Sequence, residues 1–260
     1  MQRFIGVDPL ADAAPAWTPY RYGFNNPVLF IDPDGLLETD YYNQKGKYLG
    51  TDGVDNGQVM VVTNKQEARR IAKANKKGGT TAVGNVSSGV MLPSSFVRSE
   101  MKKAVDRAGS PSFHEEGGFF GTSFGKEYVV HAQAGKKADP SKDPHASINV
   151  FQAADISTLP NDPDATIDGT FHTHPDGTVT ITTGGNFNTI GGEETTYSFQ
   201  NAPSNKDGRG DIPNAKANTR GVTGNRYVLA QGNETVYIYN GNGTQATFPF
   251  QEFFSIGNKK

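Results

Sequence analysis

The sequence lacks cysteine altogether, and this absence restricts the chemistry that the chain can perform. Without cysteine there is no disulfide framework, and a bound metal would have to be held by histidine, carboxylates or water. The formal net charge of -2 over 260 residues gives no overall basic surface, so we expect neither nucleic acid nor a membrane as a partner. No apolar run approaches the roughly 20 residues of a membrane helix, and residues 1–4 do not begin a signal peptide.

Glycine and short runs of β-branched or aromatic residues are abundant instead, which is typical of a loop-rich chain with many strands. Apolar residues at helical spacing predict two helices, over residues 64–77 and 94–108. Strands are predicted at 58–63, 127–133, 146–152, 169–174, 226–231 and 235–240, with a closing apolar segment at 248–254. We therefore predict an α/β fold of the mixed α+β kind, with a sheet flanked by helices and a surface insertion or hairpin over 176–202.

Residues 1–37 differ from the rest because prolines recur there among aromatic residues. Each residue before a proline favours extended or turn geometry, which predicts short strands and turns without a core of their own. The run Tyr20–Pro27 and the closing Asp32–Leu36 resemble the end of the Rhs repeat-associated core, which precedes the toxic tip of Rhs polymorphic toxins. That resemblance implies a self-cleavage point near Leu36, and the alternative is a turn-rich hinge. The polar, glycine-rich residues 38–57 are predicted to be a linker, which leaves 58–260 as the toxin domain.

The most informative stretch is Gly169–Gly177, which contains two of the five histidines within an apparent strand. Residues two apart in a strand share a face, so His172 and His174 project side by side. Pro175 ends the strand directly after them, where an open site is easily built. Two such imidazoles form half of a Zn2+ site, although a pair of half-exposed strand histidines is the alternative.

Further acidic residues lie before and after the histidine pair. Ser204 and Asp207 follow the Ser-x-x-Asp pattern of a helix start, which would bring Asp207 one turn into a helix and within reach of the metal. Three protein ligands would then leave a fourth position for water, as in catalytic zinc sites. Upstream stand Glu115 and Glu116, and because neighbouring strand residues face opposite sides, at most one of them can serve the site.

The order glutamate, His-x-His-Pro, Ser-x-x-Asp is similar to the JAMM (JAB/MPN) metalloprotease motif, which several Rhs-type toxins carry in their tips. The resemblance implies a cytidine-deaminase-like fold, a single Zn2+ and hydrolysis of peptide or isopeptide bonds, including those of ubiquitin-like tags. It assigns the metal ligands to His172, His174 and Asp207. Ser204 would donate a hydrogen bond to the oxyanion of the reaction.

In the same family a glutamate that precedes a glycine by three positions is the general base. This spacing favours Glu115, which stands three residues before Gly118, over the alternative base Glu116. The chain departs from the family at the 29 residues, 175–203, that separate the histidine motif from Ser204, where the family has a short loop. A flexible insert of this length closes at modest entropic cost, but it leaves the register of the third ligand open, with Asp211 as the fallback.

From these resemblances we expect a zinc-dependent peptidase or isopeptidase that forms the toxic tip of an Rhs polymorphic toxin. Such a protein would be a secreted effector, delivered into the cytoplasm of a target cell in interbacterial competition. Its expected partners are a protein substrate, a cognate immunity protein and the Rhs shell. Ubiquitin-like conjugates are one class of substrate that the resemblance implies. Two alternatives stay open: a metal-dependent nuclease toxin, and a catalytically inactive JAMM-like module that only binds a partner.

Overall fold

The computed structural model of the chain describes residues 38–55, 57–184, 192–206, 208 and 210–256. The segment that resembles the Rhs core, with the cleavage point expected near Leu36, lies outside the described residues. The chain divides into two compact units, one of residues up to 95 together with the last few residues from 255, and one of residues 96–254. Along the described residues no helix combines the length and the apolar character that a membrane crossing requires.

The first unit contains a four-stranded sheet and one helix. Its elements are β1 (Glu38–Asn43), β2 (Tyr48–Asp55), β3 (Val59–Val62), α1 (Lys65–Lys76) and β4 (Gly89–Met91), and the strands lie in the order β2-β1-β3-β4. The prediction of a linker at 38–57 is wrong, because most of this segment forms β1 and β2. Tyr41 and Leu49 from these strands are buried in one core cluster with Ile71 of α1. Asn64 caps α1 by accepting hydrogen bonds from the first-turn amides.

The second unit contains a six-stranded sheet with helices on both faces. Its elements are α2 (Ser95–Ala108), β5 (Gly117–Ser123), β6 (Lys126–His131), β7 (Gly169–His174), β8 (Thr178–Thr183), β9 (Glu193–Ser198), α3 (Asp211–Ala217), β10 (Arg226–Ala230), β11 (Thr235–Asn240), β12 (Gly243–Pro249) and α4 (Phe250–Ser255). The strand order is β12-β11-β10-β7-β5-β6. Only β7 and β10 are parallel neighbours in this sheet; its other described pairs are antiparallel. This mixed sheet with flanking helices confirms the predicted fold class.

Strand β7 lies inside the sheet, between β10 and β5, and all six of its residues are buried. Phe171 faces the side on which α2 and α4 pack, where the aromatic rings of Tyr227 and Phe253 meet and Arg98 donates a hydrogen bond to the Phe253 carbonyl. The opposite side carries His172 and His174. Helix α3 covers part of this side, because its Ala215 belongs to one core cluster with Val228 and Ala230 of β10. The alternation of β7 therefore separates a packed aromatic face from the face that carries the histidines.

One strand prediction in this unit is wrong. Residues 146–152 form no named strand, because their backbone is satisfied locally: Phe151 N donates to the side chain of Asn149 and Gln152 N donates to the Asn149 carbonyl. The closing apolar segment 248–254 divides between the end of β12 and the short helix α4.

The long insertion after the histidine motif contains an exposed hairpin. Strands β8 and β9 pair only with each other among the described strands, and most of their residues are exposed. Residues 185–191 at the far end of this hairpin lie outside the described residues. The surface hairpin agrees with the prediction for 176–202, and both of its ends return to the end of β7.

Candidate metal centre

The end of β7 brings two imidazole rings into contact. His172 and His174 share a face of the strand, and their Nε2 atoms lie 3.2 Å apart. Both residues are only 5% exposed, so the pair is a buried feature rather than two solvated strand histidines. The β-strand periodicity predicted this juxtaposition from the sequence.

Glu115 joins the pair from the residues that lead into β5. Gly117 is the β5 residue paired with His172, so Glu115, two residues earlier, lies towards the same face. A side chain at Gly117 would put its Cβ 2.4 Å from the carbonyl oxygen of Phe171, so the close approach of β5 to β7 requires glycine here. The Glu115 carboxylate is 4% exposed, and its Oε1 lies 3.9 Å from His174 Nε2.

Asp211 supplies the second carboxylate at the first residue of α3. Its Oδ1 lies 3.1 Å from His172 Nε2 and its Oδ2 lies 3.4 Å from His174 Nε2. The structure therefore places the fallback ligand beside the histidines, whereas Asp207, the ligand that the motif spacing predicted, lies outside the described residues. Helix α3 begins at Asp211 with Pro213 in its first turn, where a missing amide hydrogen costs nothing.

Ser204 holds the Asp211 carboxylate in place. The Ser204 amide donates to Asp211 Oδ2 over 2.7 Å and its hydroxyl donates to the same oxygen over 3.0 Å. In return, the Asp211 amide donates to Ser204 Oγ over 3.0 Å, so the serine also caps the start of α3. The hydroxyl hydrogen that the sequence prediction gave to an oxyanion is donated to Asp211 in this structure.

The surroundings of His174 fix which of its ring nitrogens carries hydrogen. Nδ1 lies 2.9 Å from the Gln200 carbonyl and 3.1 Å from the Asn201 carbonyl. Because carbonyl oxygens only accept, Nδ1 must be the donor, and in the neutral ring the lone pair is left on Nε2, which faces His172 and Asp211. A carbonyl that orients the far nitrogen of an imidazole is the usual support of a metal-ligating histidine.

The donor atoms also lie close to the spacing of ligands around a tetrahedral metal. Bond lengths of 2.0–2.2 Å place two tetrahedral ligands about 3.3 to 3.6 Å from each other. The distances among the two Nε2 atoms and the Asp211 carboxylate oxygens are 3.1, 3.2 and 3.4 Å. Glu115, His172 and His174 likewise each offer a ligand atom within 4.8 Å of the others. The residues present therefore fit a small divalent ion with nitrogen and oxygen ligands.

The two carboxylates have opposite protonation tendencies. Burial raises the pKa of Glu115 to about 8, although the neighbouring His174 opposes the rise. Burial alone would raise the pKa of Asp211 as well, but attraction and hydrogen bonds from His172 and His174 lower it far below its usual range. Asp211 is thus the anion beside the two imidazoles, and Glu115 is the group able to hold and release a proton.

Glu116 faces the opposite side of the sheet, so Glu115 is the member of the acidic pair that reaches the histidines. The Glu116 carboxylate lies 3.1 Å from Arg107 Nε and 3.4 Å from His114 Nε2. Arg107 in turn lies 2.8 Å from the ring of His131. These contacts make Glu116 part of an ion-pair network against α2, away from the two β7 histidines.

A cleft of about 330 Å³ opens beside the cluster. Its walls include residues 144–151, which overlap the segment 146–152 that was wrongly predicted to be a strand, and Lys206. Arg226 and Tyr239 also line it, although no motif in the sequence assigned either of them to a site. Both are cross-strand partners in β10 and β11, on the face that carries His172. Both residues reach the cleft because β10 pairs in parallel with β7, and no local sequence pattern predicts this pairing.

Comparison with known proteins gives no relative for this chain: no family model, no curated protein and no solved structure matches it. What the centre can do is therefore inferred from its donor atoms, their distances and the order of the motifs along the chain.

Proposed function

We propose that the chain is a Zn2+-dependent peptidase or isopeptidase of the JAMM type, with His172, His174 and Asp211 as its metal ligands. The observation that carries this proposal is that three buried or half-buried donor groups, the two imidazoles and the Asp211 carboxylate, lie 3.1 to 3.4 Å from one another, with Glu115 beside them. Asp211 takes the place of Asp207 in the proposed ligand set because its carboxylate lies beside both imidazoles.

Zinc is the metal that this donor set favours. Two imidazoles and one carboxylate form a common set for catalytic Zn2+, and the chain contains no thiolate that would favour softer metals. When bound, Zn2+ polarises a carbonyl oxygen and lowers the pKa of water towards about 7.

Glu115 is the proposed general base and acid. Its carboxylate is buried near the histidines, and burial brings its pKa close to neutrality, where one group both accepts and returns a proton efficiently. We propose that Glu115 accepts the proton of the attacking water and delivers it to the amine that leaves. An amide bond is then broken, with the hydroxyl added to its carbonyl carbon.

Ser204 acts, in this proposal, through Asp211. Its two hydrogen bonds to Asp211 Oδ2 fix the carboxylate that faces the imidazoles. The oxyanion role that the motif resemblance implies for Ser204 requires the hydroxyl to turn away from Asp211, so the two roles make different predictions for a Ser204 variant.

The resemblance of residues 1–37 to the Rhs core gives the proposal its biological setting. We propose that the peptidase is the toxic tip of an Rhs polymorphic toxin, delivered into a target-cell cytoplasm, with a protein substrate such as a ubiquitin-like conjugate. An immunity protein that occupies the cleft and an Rhs shell that encloses the tip are the corresponding partners.

The proposal is tested by metal analysis and hydrolysis of the same protein samples. We expect the purified chain to bind one Zn2+ and to cut amide bonds in unfolded casein or in a ubiquitin-like conjugate. Glu115→Gln should keep the metal and lose turnover, because the amide cannot accept the proton. Glu116→Gln is the matched control, since it makes the same change on the opposite face of the sheet, and it should retain turnover.

The two alternative functions give different results in the same samples. A metal-dependent nuclease would degrade DNA or RNA and leave the protein substrates intact. If the protein is a catalytically inactive module, the wild type and Glu115→Gln would bind a partner equally well, and neither would show turnover. Either pattern would overturn the peptidase proposal.

A further inference from the structure

Arg226 is a buried cation in the cleft that the proposed reaction leaves without a role. It is the first residue of β10, and the parallel register pairs it with Thr170 and pairs Val228 with His172. Directly paired residues of parallel strands face the same side, so the Arg226 side chain lies on the face that carries the two histidines. The residue is 7% exposed and lines the cleft.

The guanidinium group of Arg226 is oriented by a neutral partner. Its Nη2 donates to Asn218 Oδ1 over 2.9 Å. Asn218 is itself fixed, because its side chain exchanges two hydrogen bonds of 3.0 Å with the backbone of Val222. The amide thus aims the guanidinium without neutralising its charge, and a guanidinium has five N–H donors.

Among the residues that the structure describes, no carboxylate forms an ion pair with Arg226 within 4 Å. The electrostatic neighbours of Arg226 are Tyr239, its cross-strand partner, and Asp211. A buried cation without a paired anion is costly, and such groups in proteins normally have an anionic partner. In a cleft that opens to solvent, a ligand can be that partner.

A bound divalent ion leaves the charge of Arg226 without compensation. Two positive charges on the metal at least offset the carboxylates of Glu115 and Asp211, so the charge of Arg226 stays in excess in the cleft whether or not Glu115 carries a proton. The other cations of the cleft are differently engaged: Lys206 pairs with Asp143 over 2.6 Å, and Arg220 lies 5.5 Å above the ring of Phe151. Arg226 is therefore the buried cation best placed to receive an anion.

We propose that Arg226 anchors the substrate by binding a carboxylate that lies close to the bond to be cut. This inference rests on the proposed function, because the metal supplies the charge balance and the peptide supplies the carboxylate. A planar guanidinium matches a carboxylate through two parallel hydrogen bonds, which a lysine at this position could not form. The carboxylate comes either from the substrate C-terminus or from an aspartate or glutamate side chain.

The test measures binding rather than turnover, with the zinc-loaded 260-residue chain carrying Glu115→Gln so that no probe is cut. Two probe pairs are titrated calorimetrically: acetyl-Gly-Gly as free acid against its amide, and acetyl-Glu-amide against acetyl-Gln-amide. Charge-assisted hydrogen bonds predict that one acid binds about tenfold or more tighter than its neutral analogue. Preference in the first pair assigns a C-terminal carboxylate, and preference in the second assigns an acidic side chain.

Variants of Arg226 separate anchoring by the arginine from direct binding of the acid to zinc. Arg226→Gln should abolish the preference while zinc content stays at one per chain, and Arg226→Lys should retain part of it. Arg220→Gln, which changes another arginine of the cleft, is the matched control and should keep the preference in full.

Three results would overturn the anchor. The first is that the Glu115→Gln protein with Arg226 intact binds acids and amides equally, or binds neither. The second is that the preference for the acid persists in Arg226→Gln. The third is that Arg220→Gln loses this preference as much as Arg226→Gln does. If the protein bound zinc and cut peptides without any acid preference, the proposed function would stand and only the anchor would fall. A protein without metal would overturn both, and the metal analysis shows this before any probe is added.

Discussion

Replacing Ser204 by alanine distinguishes two roles of its hydroxyl. If Ser204 positions Asp211, the variant loses affinity for the metal; if Ser204 stabilises an oxyanion, the variant loses turnover and keeps its metal affinity. In the structure the Ser204 hydroxyl donates to Asp211 Oδ2 and accepts from the Asp211 amide, each over 3.0 Å. Alanine removes both of these hydrogen bonds and keeps the third, from the Ser204 amide over 2.7 Å. The Asp211 carboxylate then loses part of the support that fixes it against the imidazoles.

The size of the effect follows from what such supporting contacts contribute elsewhere. Removing a residue that orients a metal ligand weakens metal binding by about 10- to 100-fold, which corresponds to roughly 1.4 to 2.7 kcal/mol. The lost helix cap destabilises the metal-free protein by about 1 kcal/mol in addition. We therefore expect Ser204→Ala to bind Zn2+ more weakly, and Ser204→Thr, which keeps a hydroxyl, to restore most of the affinity.

The assay is competition for Zn2+ against a chromogenic chelator, combined with urea unfolding of the metal-free protein. Ser198→Ala, an exposed serine in β9, is the matched control and should change neither quantity. If Ser204→Ala bound zinc as tightly as wild type while turnover fell by more than about 100-fold, the loss would match an oxyanion donor. The reasoning that Ser204 acts through Asp211 would then be refuted.

Two further predictions test the packing around the centre and the fold of the first unit. Gly117→Ala should destabilise the protein by about 1 to 3 kcal/mol in urea unfolding, since its Cβ would approach the Phe171 carbonyl to 2.4 Å; unchanged stability would contradict the tight β5–β7 contact. Hydrogen bonds from Ser88 and Ser87 lower the pKa of Glu67 from 4.5 to about 2. Because the folded pKa is depressed, Glu67 contributes stability above pH 4.5 that is lost as the pH falls towards 2, and Glu67→Gln should flatten this part of the pH profile of unfolding; an unaltered profile would contradict it.

The parts of the site that sequence periodicity could predict are the ones set by a single strand. Alternation alone brings His172 and His174 together and sends Glu115 and Glu116 to opposite sides of the sheet. The two glutamates could be distinguished only by motif spacing, and their contacts in the structure agree with that choice.

The proposed third ligand shows what motif spacing leaves open. Ser204 and Asp207 have the pattern of a helix start, but the helix that meets the histidines begins at Asp211. Pro213 is the sequence signal that could have located this helix start, because proline is favoured in the first turn of a helix. Asp211, two residues before it, is then expected in the same turn. A serine seven residues before the helix caps it across a loop, which no local motif describes.

Long-range pairing explains the remaining differences. Tyr41 and Leu49 are buried by a sheet partner and a helix that lie farther along the chain, so the polar, glycine-rich segment around them gave the pattern of a linker. Arg226 reaches the site only because β10 pairs in parallel with β7. Tertiary partners, rather than local propensity, decide both cases.

The most direct test of the account is the metal content and zinc X-ray absorption spectrum of the purified chain. We predict one Zn2+ per chain, bound by nitrogen and oxygen at about 2.0 to 2.2 Å with the scattering pattern of two imidazoles. The combined His172→Ala and His174→Ala variant should lose the metal, and His114→Ala, which lies at the Glu116 network, should keep it. A protein that binds no divalent metal at neutral pH, or that binds it equally without these two histidines, would contradict the central claim.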